Sequence, residues 1–363
     1  MLSFIVPTLD RPSDLAQTLV QISRLDGARL AACGGAEVVV IDNASRFPPT
    51  PPGNLPNGVS VRMMYLRENA AAASRNIGAS EARGDWLIML DDDSAPLDAE
   101  FIDVLEQAPS DVAAVGAEIT LPDGSHEWGG LPEVFIGCGV AIRRDVFLEL
   151  DGYDPHFGYY AEEYDLAARM LISGYRVLHA RQFRVRHRKV AHGRDMNAIV
   201  RRLVRNNAWV VHRYAPATVR DAEMGRVIER YGMIARREGA EEGFELGLQD
   251  LRSSLADQPR HSLSTELYER FVGLSHARQA LHGCNGRAVA VVAPGKNDWV
   301  VRQALEHVGG RLVPAMDAEA LVIGTLSPGP ILDGLEKHAG AGLPVLAPWS
   351  WPEAVAVPSR SVA

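Results

Sequence analysis

The chain has 363 residues, 47% of them hydrophobic and 23% charged, with a formal net charge of −9. That length allows one large domain and a smaller one, and the acidic balance argues against a nucleic-acid partner, which would call for a basic domain. Cys33, Cys138 and Cys284 are few, odd in number and far apart. They form neither a disulfide framework nor a zinc pattern, so a reducing cytoplasm is the expected setting. MLSFIVPTLDRP at the amino terminus reads as a first strand rather than a signal peptide. No run approaches the ~20 apolar residues of a transmembrane segment.

The first part of the chain alternates strand and helix patterns, which predicts a mainly parallel sheet. Leu2 to Thr8 is a strand, followed by a helix from Pro12 to about Leu25. Ala36 to Ser45 is a second strand, ending in Asp42 and Asn43. A loop with five prolines (Phe47 to Pro56) leads to a third strand, Val61 to Arg67. Ala70 to Arg83 is helical, and Trp86 to Leu90 (WLIML) is a strand buried on both faces. From Glu118 to Arg144 the pattern breaks into Gly-rich segments, including Trp128 to Gly130 and Gly137 to Arg144. A helix, an aromatic loop, a second helix and a strand follow, then a basic loop from Arg184 to Arg194. Met196 to Tyr214 is a long helix, and Ala215 to about Gly283 is charged and helical. Arg287 to Trp349 returns to β-α-β alternation without a GxxxxGK[ST] or GxGxxG phosphate loop. It reads as a packing, dimerisation or acceptor-positioning unit, with homo-oligomer formation through it as a further expectation.

Asp91, Asp92 and Asp93 end the WLIML run. Strand alternation would send Asp91 and Asp93 to one side and Asp92 to the other. Two carboxylates on one side, at the edge where open α/β sheets bind ligands, suit Mg²⁺ or Mn²⁺. The alternative is a strand running into an acidic, solvated turn. In YYAEEYDLAARMLISGY, helical spacing puts Glu163 near the middle of the apolar face formed by Tyr164, Leu166, Ala167, Met170 and Leu171. Glu162, Asp165 and Arg169 fall opposite, with Asp165 and Arg169 at i,i+4. A desolvated carboxylate has a raised pKa and suits a general base; the alternative is a helix cap touching solvent. His187 follows a strand, so it offers a nitrogen ligand for the metal. Arg186, Arg188, Lys189 and Arg194 around it would suit a diphosphate, or would simply form a solvated basic loop.

SFIVPTLDRPSDLAQTL, VVVIDNAS, AAAASRNIGAS, WLIMLDDD, GVAIRRDVFLELDGYDPHF, EEYDLAARMLISGYRV and the later His187 occur in the order and approximate spacing of glycosyltransferase family 2. The resemblance runs from Met1 to about Pro216. It implies an α/β fold of the GT-A type, a Rossmann-like, mainly parallel sheet flanked by helices. A helical segment (217–285) and a small carboxyl-terminal α/β unit (286–363) would follow the first domain (1–216).

By position, the resemblance implies donor contacts from Pro7, Thr8, Asp10, Asp42, Arg75, Asn76 and Asp91. Asp93 and Asp91, with His187, would hold Mn²⁺ or Mg²⁺, and Asp92 would support the donor side structurally. Glu163 stands where the family has the catalytic Asp of its Glu-Asp motif, a departure that adds one methylene. The Gly-rich segments (Trp128, Gly129, Gly137, Cys138, Gly139), Glu162 and Asp165 are acceptor-side candidates. No QxxRW motif is present, and Arg201 to Trp209 is not its equivalent, which points to single-sugar transfer. The expected function is therefore inverting, metal-dependent transfer from a nucleotide-diphospho-sugar, with UDP- or dTDP-sugars favoured, to a hydroxyl. The acceptor would be a small molecule, a saccharide or a protein. A nucleotidyltransferase that makes a sugar nucleotide, and a non-catalytic sugar-nucleotide binding module, are the alternatives.

Overall fold

The computed structural model describes residues 1–189 and 195–351. Arg194 and the end of the expected last unit lie outside the described residues. Among the described residues no helix is long and apolar enough to cross a membrane.

The chain opens with β1 (Leu2–Thr8), α1 (Pro12–Ile22), α2 (Gly27–Ala32), β2 (Ala36–Asp42), β3 (Ser60–Tyr65), α3 (Ser74–Glu81) and β4 (Trp86–Leu90). It continues with β5 (Ser94–Pro96), α4 (Phe101–Glu106), β6 (Val112–Thr120), β7 (Gly139–Arg143), α5 (Arg144–Glu149), α6 (Glu162–Ile172), β8 (Arg176–His187) and α7 (Met196–Tyr214). These eight strands form one sheet in the order β3-β2-β1-β4-β7-β6-β8-β5. The first four run parallel, β7 is antiparallel to β4 and β6, and β8 is parallel to β6. The β1–β2 register pairs Thr8 with Asp42, and β4 lies parallel on the other side of β1. Thr8, Asp42 and the residues after Leu90 thus share one carboxyl-end rim. Pro7, which has no amide hydrogen, lies beyond the last β1–β4 pair, Ile5 with Met89.

Two findings depart from the sequence pattern. The Ala70–Arg83 helix is shorter than its composition suggests: α3 starts at Ser74, after a 3₁₀ turn at Ala71–Ala73. Ala71 has φ 53°, and the Ala72 amide is drawn off to the Gly158 carbonyl at 3.0 Å. Asp91 to Asp93 are not strand residues either. The Ser94 amide donates to the Asp91 carbonyl (3.1 Å), and the Ser94 hydroxyl accepts from the Asp91 amide (2.9 Å). A tight turn results, and strand alternation no longer governs the three carboxylates.

After α7 come α8 (Ala217–Glu238), α9 (Glu241–Ser254), α10 (Thr265–Phe271) and α11 (Leu274–Ala280). A second, all-parallel sheet follows, built from β9 (Ala288–Val292), β10 (Arg311–Leu312), β11 (Ala320–Ile323) and β12 (Val345–Leu346), in the order β10-β9-β11-β12. Its helices are α12 (Asp298–His307) and α13 (Pro328–His338). One continuous apolar core joins the parts, running from Ile5 and Met89 through Trp209, Tyr214 and Phe271 to Val300, Ile323 and Trp349. The opposite face of the main sheet packs on α1 and α4 through Leu15, Ile22, Phe101 and Phe183.

Candidate active site

The turn after β4 sends Asp91 to one side and brings Asp92 and Asp93 together on a single guanidinium. Asp91 pairs with Arg75. Asp92, buried, accepts from the Thr8 hydroxyl (2.8 Å) and pairs with Arg11 (2.7 Å). Asp93, also buried, takes the other Arg11 nitrogen at 2.6 Å and lies 3.3 Å from His187 Nε2. Arg11 precedes α1, and α1 further anchors the turn through the Thr18 hydroxyl, which donates to the Asp92 carbonyl at 2.7 Å. Burial pushes the Asp92 carboxyl up to about 7 despite Arg11. Burial acts the same way on Asp93, but the His187 and Arg11 hydrogen bonds outweigh it and hold that carboxyl far below the usual range.

His187 ends β8, and its Nδ1 lies 2.7 Å from Glu127. Lys189 donates to the other Glu127 oxygen at 2.7 Å. Burial disfavours charge on His187, but the Asp93 and Glu127 carboxylates bonded to its two nitrogens raise its pKa well above the ordinary imidazole value. Glu127 is itself buried, yet His187 and Lys189 hold its carboxyl down at about 2.

Ligand atoms of Asp91, Cys138 and His187 lie within 4.8 Å of one another. Burial pushes the Cys138 thiol up to about 11, so it stays protonated and is a poor partner for a hard cation. The remaining carboxylate and imidazole donors fit a divalent ion, with Glu127 as the outer carboxylate that orients a metal-bound histidine. Asp93 joins that set only by giving up Arg11.

On the other side of Asp91, Arg75 is buried and donates to the Leu90 carbonyl at 3.0 Å. Its Nε, Glu162 Oε2 and the Tyr153 hydroxyl are all buried without a hydrogen-bond partner among the described residues, in a region where Arg75, Tyr153 and Glu162 bear on one another electrostatically. Buried polar groups left unpaired are costly, so this group suits a ligand. Asn76 is occupied differently: its amide bonds both ends of the Tyr153 backbone, donating to O at 2.7 Å and accepting from N at 2.9 Å.

Glu163 is half-buried in the first turn of α6 and accepts from the Gly137 amide at 3.3 Å. Burial raises its pKa, and burial plus the neighbouring Glu163 charge raises that of Glu162 further. Asp165 sits elsewhere. It is buried and bonded to Arg169 (2.9 Å), Arg213 (2.8 Å) and the Tyr214 hydroxyl (2.7 Å). The face of α6 opposite the apolar stripe is therefore covered by α7, not open to solvent, and Asp165 ties the two helices together.

The other candidates spread along the rim. Asp42 is buried and accepts from the Ser45 amide at 3.3 Å, and Asp10 is exposed and accepts from the Arg46 amide at 2.7 Å. Trp128 is 68% exposed, beside Gly129, whose φ of 135° favours glycine. Gly139 packs inward, where a Cβ would meet Ile119 at 2.9 Å. Arg11 and Glu127 are absent from the sequence-derived candidates. Their only local signals are adjacency to Asp10 and to the Trp128–Gly130 segment.

An acidic turn balanced by Arg11 and Arg75 thus stands at the carboxyl-end rim of a mostly parallel sheet, the edge at which open α/β sheets bind ligands. The family model "Glycosyl transferase family 2" matches residues 3–204. An O-antigen biosynthesis protein, RfbC of Myxococcus xanthus, is 30% identical over 228 residues, covering 52% of this chain and 17% of that protein. An uncharacterized glycosyltransferase of Haemophilus influenzae is 31% identical over 196 residues, covering 47% of this chain and 62% of that protein. The match thus spans less than two thirds of either relative's length. The S. aureus TarS structure with UDP-GlcNAc overlays with a TM-score of 0.49 at 14% identity, over 76% of this chain and 84% of that one. The chain belongs to glycosyl transferase family 2, and its main sheet is of the GT-A type.

Proposed function

We propose that the protein transfers a single sugar, with inversion, from a nucleotide-diphospho-sugar to an acceptor hydroxyl. The observation that carries the reading is the meeting, around Asp91, of the acidic turn, the His187–Glu127 pair and the unsatisfied group at Arg75, with Glu163 beside it. The donor, a UDP- or dTDP-sugar, would lie over the rim between Asp42 and Asp91, with Thr8 and Arg75 beside it. Mn²⁺ or Mg²⁺ held by Asp93, Asp91 and His187 would stabilise charge on the leaving diphosphate. Arg11, released from Asp93, becomes available to the same phosphates. Glu163 removes the proton of the acceptor hydroxyl as that oxygen attacks the anomeric carbon. Its raised pKa brings the carboxylate closer to neutrality, and the Gly137 amide fixes one of its oxygens. The loop between β1 and α1, Leu9 to Arg11, has no glycines to cradle a triphosphate, which favours sugar transfer over nucleotidyl transfer. A cytoplasmic setting, suited to the three free cysteines, belongs to the same proposal.

Glu163→Gln tests the assignment. Turnover should be abolished while donor affinity stays within about twofold of wild type, because the amide keeps the shape but takes no proton. Retained turnover removes Glu163 from the base role.

A further inference from the structure

The carboxyl-terminal unit brings its own binding edge to α6. In its sheet, β9 is followed by β10 on one side and β11 on the other, so the topological switch point lies between β9 and β11. Open parallel sheets bind ligands in the crevice outside the strand ends at that point. The two loops that leave it are laced together: the Gly295 amide donates to the Gly324 carbonyl at 2.8 Å, and the Thr325 hydroxyl donates to the Lys296 carbonyl at 3.2 Å. The first of them, Gly295 to Trp299, lines a cavity of about 420 Å³ whose other walls include Leu131, Tyr164, Tyr231 and Phe271. That volume is within the range of small-molecule sites.

Lys296 projects from the β9 loop into this cavity, bonding the Tyr164 hydroxyl with its ammonium 4.4 Å from the Tyr164 ring centre. Arg230 of α8 lines the same space, stacked on Tyr231. Neither cation has an ion pair with a described carboxylate. The nearby acids are engaged or at the rim: Glu223 pairs with Arg226, Asp298 pairs with Arg302 at 3.3 Å, and Glu229 is exposed. Burial, and then Arg230, push the Lys296 ammonium down to about 7, whereas the carboxylate of Glu163 favours its charge. The cavity thus borders the residue next to the proposed base and holds two cations short of an anion.

We propose that this crevice is the acceptor site, and that it takes a compact, ring-bearing molecule through one carboxylate or phosphate lodged between Lys296 and Arg230. The acceptor role rests on the transferase reading, but the ligand chemistry does not. The aromatic walls hold the ring, and Tyr164 leads along the first turn of α6 to Glu163.

The test is ligand-observed NMR titration of the full chain with phenyl phosphate, benzoate and neutral benzyl alcohol. One or both anions should bind about tenfold more tightly than the alcohol, and their relative affinity separates a phosphate from a carboxylate site. Lys296→Met and Arg230→Met should each abolish the difference, while Asp93→Asn preserves it. Equal affinity for all three probes overturns the proposal, as does indifference to both Met substitutions. So does loss of binding in Asp93→Asn, which places the probe at the donor site. Thermal shift with nucleotide sugars is run in parallel. Probe binding without any response to a nucleotide sugar overturns the acceptor role through the transferase reading, leaving the anion chemistry intact.

Discussion

Gly137→Ala is a small perturbation aimed at the proposed base. The added methyl would lie 2.9 Å from Glu163 Oε1, where ordinary contact begins at 3.4 Å. The three nearest atoms to the new methyl all belong to the Glu163 side chain, so the carboxylate must retreat by about half an ångström or rotate away. Because it is the far end of a flexible side chain, the fold itself should lose little stability. A misplacement of ~1 Å in a reacting group costs about 10²-fold in rate, so half that displacement predicts roughly a tenfold fall in kcat. The assay is nucleotide diphosphate release from the donor that best stabilises the protein, with donor Kd from calorimetry and Tm on the same samples. The expectation is a fall in kcat with Kd and Tm near wild type. An unchanged kcat, or a defect confined to donor affinity, would refute the placement of Gly137 against the base.

Other expectations concern the fold and the metal. Burial pushes the His179 imidazole from 6.5 down to about 4, with Nε2 on the Leu131 carbonyl and Nδ1 without a partner among the described residues. Its contribution to stability is present above pH 6.5 and is lost as pH falls toward 4, amounting to about 2 kcal/mol by pH 5. Urea unfolding at pH 7 and 5 should show this loss in wild type and a smaller one in His179→Gln; equal losses contradict it. Arg213→Met strips a cation from buried Asp165 and should cost about 3 kcal/mol by urea denaturation, whereas a cost below about 1 kcal/mol, the range of an exposed pair, would deny the link between α6 and α7. Arg11→Met should tighten Mn²⁺ binding severalfold in nucleotide-free protein, read by electron paramagnetic resonance, because Arg11 then no longer holds Asp93. Weaker or unchanged Mn²⁺ binding would show that the two do not compete.

The strands of the main sheet were legible because doubly covered strands read as unbroken apolar runs, as in Phe4 to Val6, Val38 to Ile41 and Trp86 to Leu90. Motif order carried the family. Local pattern did not reveal what depends on distant partners. WLIML leads into Asp91 without any break in the one-dimensional pattern, yet the Ser94 hydroxyl and the Thr18 contact from α1 turn the chain there. Glu127 meets His187 across 60 residues, and nothing in its neighbours marks it as that partner. The wheel of α6 showed one apolar stripe but not the cover that α7 lays over Asp165. Lys296 lies 132 residues from Tyr164 in sequence, so the contact between the carboxyl-terminal unit and α6 could only come from the tertiary structure.

The central claim is that the Asp91–Asp93 turn binds a donor diphosphate through a metal. Its most direct test is a thermal-shift titration of UDP- and dTDP-sugars with and without Mn²⁺, on wild type and Asp93→Asn. At about 100-fold excess over Kd, a donor should stabilise the wild-type protein by ~2.7 kcal/mol, with Mn²⁺ only, and the shift should vanish in Asp93→Asn. Stabilisation that ignores Mn²⁺, or that survives in Asp93→Asn, would contradict the account.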